Sequence, residues 1–477
     1  MHRVYYFILL SLVLSTAIKA QTAEDYWTLE RCLNHAREHN LTIQLQQLNV
    51  SRDEAMLRQQ KAGMLPSLNA YAQHDYNWGR TVDRFTNDFA NARILSQNFY
   101  LSSGVTVFNG FRLLNELKER QLQLQASEMD VQKTVDDIQL AVVTAYLQVI
   151  FNKELVEVNR SQVAITELQK EQTSRQVEAG ALAQGALLNI QSQLAREELN
   201  LVNAENQLDM ALLELKQILE LPDNKPFDIH IPEIALPENV ELKRSPQQIY
   251  EYAVDHRPEI EGAQLRVQSR QKALQAARGS AYPSLQLQAS YGTGYSGASV
   301  ELSDYAVHGY YPNGNITQSG DTVLAPDIQY KDRIIPFADQ IQNNNNYSLG
   351  LSLTIPVFNG LQRRTAMQTS RIALEQSKIE LRQQKNAVRK TIEQAWIDAE
   401  AALKRFYAAQ KAQDASSLSF QYAQQKFDVG MMNATEFNEA KNNLTQAESD
   451  LLQAKYEYLF RSKVLDFYLD QPLTIEE

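Results

Sequence analysis

Residues 33–68 recur at 250–285, displaced by 217 positions. Ala36, His39, Ile43 and Leu48 answer to Ala253, His256, Ile260 and Leu265, and Pro66-Ser67-Leu68 to Pro283-Ser284-Leu285. Further on the displacement becomes 250. Val107-Phe108-Asn109-Gly110 returns as Val357-Phe358-Asn359-Gly360, and Gly180 as Gly430. The second copy therefore carries 33 more residues, inserted between Leu285 and Val357. A chain written twice must fold as two matching halves, and at this length each half is far larger than a solenoid turn.

Within each copy the hydrophobic period changes. Leu285, Leu287, Ala289 and Tyr291 alternate with Gln286, Gln288 and Ser290, and Tyr347 to Ile355 alternate likewise. Leu68, Ala70 and Ala72 do the same in the first copy, with a less regular partner at Leu101, Ser103, Val105 and Val107. Period two means strands with one apolar and one polar face. After each VFNG the spacing becomes 4,3,4,3: Val131, Val135, Ile138, Val142, Ala145, Val149, Asn152 and Val156, matched at +250 by Leu381, Lys385, Val388, Ile392, Ala395, Ala399, Ala402 and Phe406, seven of eight apolar in each. That is a coiled-coil seam. Neither Gly nor Pro interrupts 111–179 or 361–429, so each stretch predicts a helix of about 100 Å at about 1.5 Å per residue.

The expected organisation is a leader (1–20), a first repeat (21–220), a Pro-rich connector (221–245), a second repeat (246–470) and a tail (471–477). The first repeat holds a helix, a strand hairpin over 67–108, a long helix over 111–178 and a helix over 186–220. The second holds a helix over 246–280, a hairpin over 284–358 with a long loop, a long helix over 361–429 and a helix over 434–468. The connector contains Pro222, Pro226, Pro232 and Pro237, which cannot continue a helix; a short strand is expected at Phe227–Ile231. Only 17 Gly and 13 Pro stand in 477 residues, about half the average usage. This fits few turns and long elements.

Met1-His2-Arg3 followed by the apolar run Val4–Leu14, with Ala17 or Ala20 as cleavage site, reads as a secretory leader too short to span a bilayer. Cys32 does not follow the cleavage site, which argues against lipidation; it is the only cysteine, so no internal disulfide exists. It lies in a helical pattern and reads as a packed hydrophobe. A net charge of −11 without basic blocks excludes nucleic acid as the main partner.

Four half-apolar strands in an exported chain point to an outer-membrane barrel. Such barrels need at least eight strands, so several copies must share one. A soluble sheet packed on the helices is the alternative. Residues 77–97 and 292–346 are long and polar, as exterior loops would be.

Taken together, the leader, the duplicated PSL–strand–loop–strand–VFNG order and the G-x5-E-x2-E helix start resemble the TolC family of outer-membrane efflux proteins. The resemblance implies a mixed, mainly α fold: antiparallel coiled-coil helices forming a periplasmic α-barrel, and a trimeric twelve-stranded outer-membrane β-barrel. It implies a passive duct, with no catalytic residue, cofactor or metal. Its partners would be itself as a homotrimer, a periplasmic adaptor (membrane fusion protein), an inner-membrane RND-type or ABC-type transporter and outer-membrane lipid. The resemblance carries an acidic gate ring onto Glu436 and Glu439, which share a helix face, and a constriction onto Phe427. Acidic residues also suit any helix's first turn. Met432 stands where some members carry Arg, and the first copy has Ala186 and Asn189 in place of the carboxylates. Gly180, Gly185, Gly430, Met431 and Met432 would form the tip turns and meet the adaptor. Asn109-Gly110 and Asn359-Gly360 would form the strand-to-helix turns.

Two motif matches are rejected. Gly292-Thr293-Gly294-Tyr295-Ser296-Gly297 fits GxGxxG, but no helix pattern follows it. His35-Ala36-Arg37-Glu38-His39 fits H-x-x-E-H, but the second copy has Tyr252 for the first histidine. An exported structural or adhesive coiled-coil protein remains the competing reading; it would have no need of four amphipathic strands. Drugs, metal ions, lipids and polypeptides all remain open as cargo.

Overall fold

A computed structural model describes residues 26–82, 87, 89–91, 93–222, 227–232, 242, 244–429 and 431–473. The leader with Ala17 and Ala20, Gly430, most of the connector and residues 474–477 lie outside the described residues. The elements run α1 (Leu29–His39), α2 (Leu41–Ala62), β1 (Ser67–Asn77), β2 (Arg80–Val82), β3 (Phe89–Asn91), β4 (Ile94–Phe108), α3 (Arg112–Glu178) and α4 (Gln184–Ile218). The second copy gives α5 (Pro246–His256), α6 (Pro258–Gly279), β5 (Ser284–Ser296), β6 (Val300–Ile316), β7 (Thr322–Ile334), α7 (Phe337–Asn343), β8 (Asn346–Thr354), α8 (Gln362–Asp428) and α9 (Ala434–Tyr468). They divide into a helical unit (26–53, 122–267 and 376–473 of the described residues) and a sheet unit (54–121 and 268–375).

In the helical unit the repeat appears as two cores. One gathers Cys32, Ala36, Val142, Tyr146, Val149 and Ile150 with Leu215 and Leu219. The other gathers Ile249, Ala253, Ile392, Ala395 and Ala399 with Leu465. Cys32 occupies the place of Ile249, and burial pushes its thiol up to about 12. An 18-residue window of α3 reaches a mean hydropathy of 1.3, yet its apolar side chains supply the first of these cores.

The opening helix of each copy is broken, where a single helix was expected over 246–280. The second copy breaks at Arg257, because Pro258 disfavours helical backbone in the residue before it. The first breaks at the matching Asn40. Asn40 caps α2 through the Thr42 N–H (2.9 Å) and donates to the Ile218 carbonyl (3.1 Å). Arg257 donates to the Phe467 carbonyl (3.3 Å) and pairs with Asp136 (3.2 Å) and Glu259 (3.3 Å). Each break thus ties down the end of its return helix. The strand expected at Phe227–Ile231 reduces to one parallel bridge, Trp27 with Ile229.

The sheet unit holds a four-stranded antiparallel sheet in the order β1-β4-β5-β8. Leu68 pairs with Ser103 in the first hairpin, and Leu285 with Leu353 in the second. These are the same positions under the two displacements, so the hairpins share one register. Because directly opposed residues share a face, the register sorts the rows. Tyr347, Tyr291, Leu101 and Ala70 line up, as do Leu351, Leu287 and Val105. The opposite face carries Ser348, Ser290, Ser102 and Asn69, with Ser290 and Ser348 hydroxyls 2.5 Å apart. The irregular end of β4 has a cause: a bulge between Thr106 and Phe108 aligns Phe108, not Val107, with Leu285.

The exterior segments are more ordered than the expected loops. β5 extends to Ser296, β6 and β7 pair as a long ribbon, and α7 precedes β8. Three register shifts from extra residues on β6 break its alternation, which hid the ribbon in the sequence.

Candidate functional site at the helical tips

The long helices end alike. At the first tip Gly180 has φ +73°, Gly180 N–H donates to Val177 O (2.9 Å) and Ala181 N–H to Gln176 O (2.8 Å). This is a Schellman stop. At the second, Met431 N–H donates to Lys426 O (2.8 Å), the same bond 250 residues on. Gly180 and Gly185 have open space around them, Met431 is exposed and Met432 half-buried.

Asn433 starts α9: its side chain accepts the Glu436 N–H at 3.0 Å. Glu436 thus sits in the first turn, and both Glu436 and Glu439 are solvent-exposed. The buried residue of this turn is Phe437, 4% exposed. Phe427 stacks on it with centroids 4.6 Å apart, and Phe420 lies at 5.5 Å. Within one chain Phe427 therefore braces the turn. The first tip has Ala186 and Asn189 instead, so the carboxylates belong to the second copy alone.

Behind the second tip lies a polar core that sequence reasoning missed. Lys441 on α9 is fully buried, 3.4 Å from the Glu197 carboxylate on α4. Its ammonium also donates to the Thr166 hydroxyl and to Gln162 O (3.4 Å), and the Thr166 hydroxyl donates to Glu197. Gln193 donates to Glu197 (2.7 Å) and to Asn442 (3.3 Å). Burial holds the Lys441 ammonium below its ordinary value, and Glu197 opposes that shift. The seam of α3, apolar up to Val156 except for Asn152, becomes Gln162, Thr166, Gln169 and Thr173 here. Among the described residues, Gln162 Nε2, Gln169 Oε1 and Asn438 Oδ1 are buried without hydrogen-bond partners. A cavity of about 590 Å³ opens beside this polar core, lined by Ile165, Phe420, Lys441, Leu444 and Glu448. Burial raises the Glu448 carboxyl. Nothing in the sequence set Lys441 apart from Lys455 and Lys463 on the same helix, and its partner Glu197 lies 244 residues away.

The rejected motifs have plain structural roles. His35 and His39 stack at 4.2 Å, and their counterparts Tyr252 and His256 stack at 4.1 Å. Among the described residues, no three His, Cys, Asp or Glu side chains gather around a possible metal position. Gly292 and Gly294 lie inside β5, paired with Tyr100 and Asn98 of β4.

The two strand-to-helix turns differ. Asn109 and Gly110 lead into α3, with Gly110 at φ +65°, and a Cβ there would lie 2.3 Å from Gly279 O and 2.8 Å from Tyr282 Cβ. Gly360, after Asn359, keeps φ +61° but has nothing within 4 Å.

A family model described as outer membrane efflux protein matches residues 32–220 and 249–469, the two repeats. Outer membrane protein TolC of Escherichia coli (strain K12) is 22% identical over 458 residues, covering 95% of this chain and 83% of its own length. The fold resembles solved structures of CusC (TM-score 0.73, 15% identity, 93% and 92% of the two chains) and of the Campylobacter jejuni CmeC outer membrane channel (0.71, 14%, 92% and 85%). It also resembles the open state of the Neisseria gonorrhoeae MtrE outer membrane channel (0.69, 15%, 94% and 90%).

Proposed function

The chain belongs to the outer membrane efflux protein family, and from that premise we propose that it is one protomer of a homotrimeric exit duct. It is a passive outer-membrane efflux channel, not an enzyme. Transport through it is driven by an inner-membrane transporter of RND or ABC type acting through a periplasmic adaptor.

The unfinished second repeat carries this reading. β4 pairs with β1 as far as Gly104, then runs on to Phe108 because β5 lies on its other side. β8 pairs with β5 in the same register but stops at Thr354. Ile355, Val357 and Phe358 stand exposed, Val357 at 88%, and Gly360 lacks the neighbour that Gly110 has. A second copy supplies what is missing. Under the repeat displacements, β1 of the next copy lies against β8 as β5 lies against β4, with Ile355 opposite the next copy's Ala70. The next copy's Ala62 and Leu65 fill the space at Gly360. Three chains then give twelve strands and no free edge. The leucine rows face lipid, flanked by aromatic pairs at both ends: Tyr291–Tyr347 (5.3 Å) and Phe108–Phe111 (5.5 Å).

In this duct the tips are the periplasmic gate. Glu436 and Glu439 from three chains place six carboxylates around the opening and favour cations. The exposed tip turns, Gly180, Gly185 and Met431 with Gly430 and Met432, are the adaptor's contact. Detergent extracts of outer membranes should contain a heat-labile trimer. A soluble periplasmic monomer would contradict the reading.

A further inference from the structure

The insertion that sets the second copy apart folds as the ribbon β6–β7. Extra residues on β6 at Ser303, at His308 and between Pro312 and Ile316 shift its register three times. Each shift returns an apolar side chain to the same face, so Leu302, Tyr305 and Tyr310 all lie on the face shared by Tyr330 and Leu324, where Asp332, opposite Leu302, is the charged member. The other face pairs Glu301 with Arg333 and Asp304 with Lys331. All five apolar residues are exposed, Tyr310 at 68%. A two-stranded ribbon alone is marginally stable, and a contiguous exposed apolar face marks an interaction surface.

The root of the ribbon is fixed. Ile335 N–H donates to Ser299 O (3.0 Å). Buried Gln340 accepts the Ser296 N–H (2.9 Å) and donates to Ser296 O (3.0 Å) and Ile335 O (2.8 Å). Asn344 donates to Gly294 O (2.8 Å). The ribbon also starts beyond the Tyr295–Gln97–His74 row, where Gln97 and His74 hydrogen-bond at 2.8 Å and the apolar rows end. Lipid tails are therefore not its occupant.

The first copy's turn, between β1 and β4, carries Trp78, Val82 and Phe89, with Trp78 72% exposed. In one chain these turn residues and the apolar face of the ribbon are both exposed. In the trimer described above, β8 lies beside β1 of the next copy, which brings this ribbon beside the next copy's turn. We propose that the apolar face of β6–β7 docks on Trp78, Val82 and Phe89 of the adjacent copy. It straps neighbouring protomers together outside the membrane. This inference rests on the trimeric reading.

The test places a benzoylphenylalanine photocrosslinker at Tyr305 or at Tyr330 of the full chain in outer membranes, with Gln329 on the polar face as control. A separate variant, Ile355→Cys with Ala70→Cys, reports β8–β1 closure by disulfide formation. Natural Cys32 is buried with a raised thiol and stays inert. Expected are adducts of twice the chain mass that map to residues 78–91 of a second copy, few from Gln329, and inter-chain disulfides. Adducts confined to the same chain, to lipid or to another protein, or no adducts, overturn the strap while the disulfide still forms. Loss of the disulfide as well overturns the trimeric reading itself.

Discussion

The Lys441 ammonium lies 3.4 Å from the Glu197 carboxylate, both buried, joining the return helices of the two repeats. Removing one partner of a buried pair costs about 3–5 kcal/mol, whereas replacing both with apolar residues is often neutral. Lys441→Met should therefore lower the thermal stability of the helical unit sharply, and Glu197→Leu added to it should restore most of the loss. Melting curves of both variants check this; additive losses would contradict it.

The same lysine sets a pH dependence. Its folded-state value is lowered from 10.5, so the unfolded chain binds the proton more tightly. Stability linked to Lys441 therefore rises with pH through the window below 10.5 and is least at neutral pH and below. Melting temperature against pH should climb more steeply in this window for the natural chain than for Lys441→Met. Equal slopes would remove the assignment.

At the tip, Glu436→Ala with Glu439→Ala should weaken block of single-channel current by divalent cations and lower cation selectivity. Both carboxylates are exposed in one chain, so folding should be unaffected. Unchanged conductance and selectivity would show that they are only the polar start of α9.

The matched glycines predict opposite sensitivities. Gly110→Ala combines backbone strain with a clash against Gly279 and Tyr282. It should destabilise the folded chain by about 2–4 kcal/mol. Gly360→Ala meets open space in one chain, leaving about 1 kcal/mol of strain, yet should lower the dissociation temperature of the oligomer. Melting curves in detergent, with and without prior dissociation, separate the two.

Much of this was legible in the sequence because the repeat aligned distant residues. The displacement of Leu68 onto Leu285 fixed both hairpins, and the heptad through Val142 located the long helices. What escaped did so for local reasons. The ribbon was hidden by Ser303 and His308, which break the period that identifies a strand. The helix break at Arg257 carried its signal in Pro258, whereas the matching break at Asn40 has no proline after it and was hidden. The Lys441–Glu197 pair joins side chains that only tertiary folding brings together. The tip residues Glu436, Glu439 and Phe427 came from family resemblance, and the structure adds that Phe427 leans on Phe437.

The central claim is that β8 finds its missing partner in β1 of another copy, in the register that β4 uses with β5. Oxidation of the Ile355→Cys, Ala70→Cys variant in outer membranes tests it directly. The account predicts a ladder of one, two and three linked chains on a denaturing gel, ending at the trimer. A product confined to single chains, or linkage only when Ala70 is replaced by a residue on the opposite face such as Asn69, would contradict it.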